Sequence, residues 1–158
     1  MDTSLLLAIL LVVHVGGAIF GFGPSVAFAV LGPMSGTSTP QGSLALMESM
    51  VAIERRLIFP VATVVQPLSG LALIFVAGYN TDFFRHYWLW VALIIYAAAY
   101  YTAILVQTPL IEKMIRIAKA GPPTAEFMAA AKRTQTLGPL ITVMLAAIVV
   151  LMVAKPGG

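Results

Sequence analysis

Four apolar runs, at about residues 5–31, 57–77, 87–110 and 137–154, fill more than half of the 158 residues without a single charged side chain. A helix needs about 20 such residues to cross the roughly 30 Å hydrocarbon core of a bilayer, so each run is long enough to span, with the last near the lower limit. Hydrophobic residues make up 60% of the chain and charged ones 9%, a balance foreign to soluble domains. The reading is all-α: a four-transmembrane-helix bundle, residues 1–158 forming one integral membrane domain. The remaining residues make only loops and short polar helices. The segment before the first run lacks the positive stretch of a signal peptide, so that run is expected to be retained as a span.

Charge gives the expected orientation. Arg55, Arg56, Lys113, Arg116, Lys119, Lys132 and Arg133 lie in the connections at 33–56 and 108–136, whereas the opposite side has Arg85 and Lys155. The positive-inside rule puts these connections in the cytoplasm and both termini on the extracytoplasmic side of a bacterial inner membrane. The net charge of +3 follows from these flanking residues, which anionic lipid explains; nucleic acid is not an expected partner. Gly32 to Pro40 reads as a breaker-rich loop, and Gly42 to Arg56 as a helical approach to the second span. Pro109 to Lys119 reads as a basic helix carrying a Glu112–Arg116 surface pair and stopped at Gly121-Pro122-Pro123. Ala125 to Thr136 is a further polar approach, leading to a kink-prone Gly138-Pro139 pair.

Within the first run stands His14, an ionisable ring whose burial in hydrocarbon without a partner costs roughly 2–7 kcal/mol. Helical spacing puts Gly17, Ala18 and Gly21 on its face. Two readings stay open. Gly17, Gly21, Ser25 and Ala29 form the small-residue repeat that lets membrane helices pack closely, with His14 bonded to a neighbouring helix. Alternatively, the glycines leave space for a flat macrocycle whose iron His14 ligates. His86 is the other histidine, about ten residues shallower, which at 1.5 Å per residue is roughly 15 Å and too far for a shared iron. Met144 and Met152 are candidate thioether ligands, though packing explains them as well.

Thr63, Gln66, Thr102 and Gln107, with Tyr96, Tyr100 and Tyr101, are the other polar groups in the spans. They are candidates to bond a quinone or a porphyrin propionate, and equally to bridge helices. With no cysteine, no intramembrane carboxylate pair, no Ser-His-Asp set and no phosphate loop, the chain offers no conventional hydrolase, thiol or nucleotide chemistry. The same lack of cysteine and intramembrane acid weighs against ion or copper transport.

The order of landmarks resembles the HemJ family of membrane protoporphyrinogen oxidases, and with it the broader four-span group holding copper-resistance D proteins and an uncharacterised predicted integral membrane family. The landmarks are His14 with Gly17 and Gly21, then Ile53-Glu54-Arg55-Arg56-Leu57, Trp88-Leu89, Arg133 six residues before Pro139, and Val153-Ala154-Lys155-Pro156. The resemblance covers most of the chain and implies a four-helix bundle binding haem b through His14. The family's third-helix lysine falls on Ala92, and its Asn-Glu pair on Thr136 and Leu137, so the groups for propionate binding and proton handling are replaced. The expectation is therefore a haem b-binding redox or accessory subunit of a membrane complex, with His14, Gly17 and Gly21 at the cofactor. Its alternatives are a non-catalytic subunit packing against other membrane proteins, pigments or a second copy, and HemJ-like porphyrinogen oxidation.

Overall fold

The computed structural model describes residues 2–157 and contains four long helices: α1 (Thr3–Thr37), α2 (Pro40–Val76), α3 (Tyr87–Ala120) and α4 (Ala125–Ala154). They run up and down as a four-membered ring, α1 beside α2 and α4, and α3 beside the same two. At 1.5 Å per residue the 35 residues of α1 reach about 52 Å, well beyond a core of about 30 Å. Each helix thus extends past its span at the end where the basic residues gather, called here the basic end. The opposite one is the terminal end.

Several boundaries differ from expectation. The 32–40 segment is helix to Thr37, with Pro33 inside it, and only Ser38 and Thr39 separate α1 from α2. Ser35 donates to the Gly32 carbonyl at 2.7 Å and Ser38 to that of Met34 at 2.7 Å, side-chain bonds that satisfy carbonyls in the last turn of α1 beyond the proline. The polar approaches are likewise continuous with the spans they precede or follow, and α4 passes through Gly138-Pro139 without a break. The stop at 121–124 falls where the sequence puts it. Glu112 pairs with Arg55 of α2 rather than with Arg116, a contact set by helix packing and invisible to local spacing.

At the terminal end Asp2 caps α1, and the bonds from the Ser4 hydroxyl and backbone N–H hold its carboxyl below the usual carboxylate range. Gly78, at φ +79°, turns the chain out of α2 in the left-handed region that glycine tolerates. Tyr79, His86 and Trp88 then make an edge-to-face cluster, with the Lys155 ammonium 5.5 Å from the Trp88 ring centroid.

Three stretches, Glu54–Ile58 and Val61–Val65 in α2 and Tyr101–Gln107 in α3, are wider, π-helical turns. Each ends two residues before a proline: Pro60, Pro67 and Pro109. Proline has no N–H and its ring crowds the carbonyl four residues back, and widening the preceding turn relieves that clash. The carbonyl whose donor would then be the proline is orphaned. In α2 that carbonyl belongs to Ala62, since the Gln66 N–H bonds Val61, and the Tyr96 hydroxyl of α3 donates to it. Tyr96→Phe is therefore expected to lower unfolding stability in mild detergent by about 1–3 kcal/mol, the cost of a buried carbonyl left without a donor. A denaturation midpoint equal to wild type would refute that role.

Candidate functional site

Each helix buries one face, and the intramembrane polar groups gather on the seams between those faces. His14 meets the terminal-end part of α2, where Ser69 and Gly70 lie opposite. Its Nδ1 is 2.9 Å from Ser69 Oγ, and that oxygen is also 2.6 Å from the Val65 carbonyl. Ser69 has one proton, and the carbonyl can only accept it, so His14 Nδ1–H donates to Ser69 Oγ. The uncharged ring then carries its lone pair on Nε2, the tautomer of a metal-ligating imidazole. No side-chain hydrogen bond reaches Nε2 among the described residues, the Gln66 backbone carbonyl also lies against the ring, and His14 is half-buried. Gly70 makes the approach possible: a Cβ there would stand 3.1 Å from His14 Cε1.

Gly17 and Gly21 lie on the same seam. A Cβ on Gly17 would fall 2.6 Å from Gln66 Oε1 and 3.2 Å from Val65 Cγ1; one on Gly21 would fall 3.3 Å from Val61 Cγ1. The space that the glycines open is thus taken by α2. Toward the bundle axis the remaining cavity, bordered by Gln66, Tyr96 and Leu145, measures about 40 Å³, enough for a water molecule and far below a macrocycle. Tested against haem, the donor fits as a single axial ligand through Nε2, whereas the glycine groove has no room for the ring.

The other candidates are dispersed. His86 belongs to the terminal-end aromatic cluster, so the two histidines are not brought together. Met144 and Met152 pack against Ile141, Leu145 and Ile148. Thr63 Oγ1 lies 3.2 Å from the Tyr100 hydroxyl, Thr102 donates to its own helix at Ala98, and Tyr101 is exposed. Gln66 and Gln107 are buried, each with an Oε1 that lacks a partner. No cluster of three or more metal-binding His, Cys, Asp or Glu side chains occurs among the described residues. Ala92, where the resemblance would want a lysine, is 1% exposed on the packed face that α3 shares among Trp88, Leu89 and Ala99.

At the start of the basic end Glu54 is buried and accepts the Thr108 hydroxyl across the α2–α3 seam, beside the Arg55–Glu112 pair. Lys113–Glu126 and Lys119–Glu48, each 2.5 Å, join α3 to α4 and to α2. The sequence reading singled out neither Ser69 nor Gly70. Their signal was present: a Gln-x-x-Ser-Gly stretch at residues 66–70 puts Gln66, Ser69 and Gly70 on one face in the middle of an apolar run.

Four long apolar helices, tied to their neighbours at His14–Ser69, Thr63–Tyr100 and Tyr96–Ala62, define a multi-pass helical membrane protein. The family follows from the match of residues 8–156 to the model described as "Predicted integral membrane protein (DUF2269)": the chain belongs to that family. No curated protein and no solved structure matches the chain.

Proposed function

We propose that this protein is a haem b-carrying accessory or electron-transfer subunit of the bacterial inner membrane, with its termini outside the cytoplasm and His14 as single axial ligand. The observation that carries the reading is the Ser69 bond to Nδ1, which leaves the Nε2 lone pair of a half-buried intramembrane imidazole without a side-chain donor. Haem, when bound, supplies one-electron redox chemistry. His14 would hold it, Ser69 would fix the tautomer and angle of the imidazole, and Gly70 lets the imidazole lie against α2; the Gly17 and Gly21 face, filled by α2, would take no part. The HemJ resemblance favours the same ligand. Porphyrinogen oxidation gains no support, because the position of the family's lysine is a buried alanine.

The test is a reduced-minus-oxidised visible spectrum of the detergent-purified protein beside His14→Ala, with haem counted per chain. A b-type spectrum near one haem per chain, lost in His14→Ala and retained with shifted bands in Ser69→Ala, is the expected result. A folded wild type without Soret absorption overturns it.

A second reading has its own observation, the filling of the Gly17 and Gly21 face by Val61, Val65 and Gln66. On that reading His14–Ser69 is a polar tie in a non-catalytic subunit that packs against other membrane proteins or a second copy. A haem-free protein that leaves the membrane only within a larger assembly, unchanged by His14→Ala, would favour it.

A further inference from the structure

Of the carboxyl side chains among the described residues, Glu54 alone is buried, 6% exposed, and the haem chemistry proposed at His14 does not use it. It opens the wide turn Glu54–Ile58 of α2, just outside the second apolar run, and meets Thr108 where the wide turn Tyr101–Gln107 of α3 closes. Wide turns recur at functional sites, and here a side-chain contact joins two of them.

The contact holds more acceptors than protons. Thr108 Oγ1 is hydrogen-bonded to Glu54 Oε1 and lies 3.0 Å from the Ala103 carbonyl, yet a hydroxyl donates once. With Glu54 ionised, Thr108 donates to the carboxylate and turns from Ala103, whose carbonyl keeps the Thr108 N–H. With Glu54 protonated both contacts are made: the carboxyl O–H donates to Thr108 Oγ1, and Thr108 donates to Ala103. The neutral form also avoids the cost of holding an ion out of water.

The surrounding charges do not reverse that preference. Among the described residues no cation lies within ion-pair distance of Glu54: Arg55 is turned to Glu112 of α3, Lys113 to Glu126 and Lys119 to Glu48. Arg56, Arg116, Lys132 and Arg133 are exposed, and α1, also packed on this turn, has no titratable side chain from Gly21 to Thr37. Burial pushes the Glu54 carboxyl up to about 6; the Thr108 hydroxyl pulls it down, Glu112 adds to the rise and Arg55 opposes it.

We propose that Glu54 and Thr108 form a reversible proton-binding site that ties α2 to α3 at the basic end when loaded and loosens that seam when Glu54 ionises. An ordinary glutamate titrates near 4.5, below the value in the bundle, so the folded chain holds the proton more tightly than an unfolded one. The tie is then complete below about 4.5 and is lost as pH rises through about 6. On ionisation Thr108 gives up Ala103, and the carboxylate, short of donors, draws water and the Arg55 guanidinium toward the seam. The site shares no residue with the His14–Ser69 contact and is independent of haem there.

Infrared difference spectroscopy of the full chain, titrated from about pH 4 to about pH 8, reads the protonated carboxyl by its C=O stretch. A carboxyl band should fall to half near pH 6, be absent from Glu54→Gln, and persist to higher pH in Thr108→Val, where the carboxylate has lost its hydroxyl donor. Because the chain has no cysteine, Ser49→Cys with Arg116→Cys puts spin labels on exposed positions of α2 and α3, and double electron–electron resonance reads their separation. The distance distribution should broaden as pH rises through about 6, and keep its low-pH width throughout in Glu54→Gln, whose amide donates to Thr108 as the acid does. Should Glu54→Gln fail to fold, the direction of the shift in Thr108→Val decides alone. A band that titrates near 4.5 like an exposed glutamate or survives Glu54→Gln, a midpoint unmoved or lowered in Thr108→Val, or a label separation that ignores pH or responds equally in Glu54→Gln overturns the proposal.

Discussion

Ala92→Lys is expected to abolish the folded bundle. Ala92 is 1% exposed, and its helix face also buries Trp88, Leu89 and Ala99, the last of which packs with Ile141, Leu145 and Ile148 of α4. A lysine there adds three carbons and an amine to a filled seam. Overpacking costs about 1–3 kcal/mol, and an ammonium confined to that buried face about 1–3 kcal/mol more, below the cost at a helix centre because Ala92 stands near the terminal end of the span. A loss of about 3–5 kcal/mol removes most of a stability that in many domains is about 5 kcal/mol. Size-exclusion chromatography in mild detergent and far-UV circular dichroism should find an aggregated or denaturation-prone chain. A monodisperse variant with wild-type resistance would mean that the face admits the lysine of the HemJ pattern, reopening porphyrinogen oxidation.

Gly17→Leu should weaken the bundle nearly as much, for a purely steric reason. Even a β-carbon at Gly17 meets Gln66 Oε1 at 2.6 Å, and the Val65 and Val61 methyls at 3.2 and 3.7 Å leave little retreat. The glutamine tip alone can swing aside for an alanine; a leucine would push α1 from α2 and stretch the His14–Ser69 bond. We expect a loss of about 3 kcal/mol, the upper end for overpacking. Gly16→Leu is the internal control, since a Cβ at the adjacent position meets nothing within 4 Å. Unfolding midpoints in a detergent titration decide the matter: equal losses in both variants would show that the effect is one of glycine removal and not of the seam.

Much of the architecture was legible because its signals are local. Uninterrupted apolar length marks a span wherever it occurs, and the double proline after Gly121 stops α3 on any reading. The 32–40 segment misleads because glycine and proline break helices in soluble chains, whereas α1, packed against its neighbours, runs through Pro33 to Thr37. His14 stood out as a lone ionisable group, but its partner lies 55 positions away, and nothing short of the packed helices could choose Ser69 over Thr63 or Gln66. The same holds for Arg55 with Glu112 and for Glu54 with Thr108, contacts that exist only once α2 and α3 pack. Gln107 was noticed as polar; that its oxygen lacks a donor is a property of the assembled bundle.

The wide turns before Pro60 and Pro67 carry a consequence for how α2 serves two neighbours. A residue beyond the regular count in a turn sets the following face back by about 100° from an unbroken helix. The polar contacts on α2 therefore keep two separate phases: Glu54 and Ala62 address α3, through Thr108 and Tyr96, while Gln66 and Ser69 address α1, at Gly17 and His14. The number of residues between these contacts, set by where the prolines stand, governs which partner each one meets as firmly as the identity of the side chains themselves.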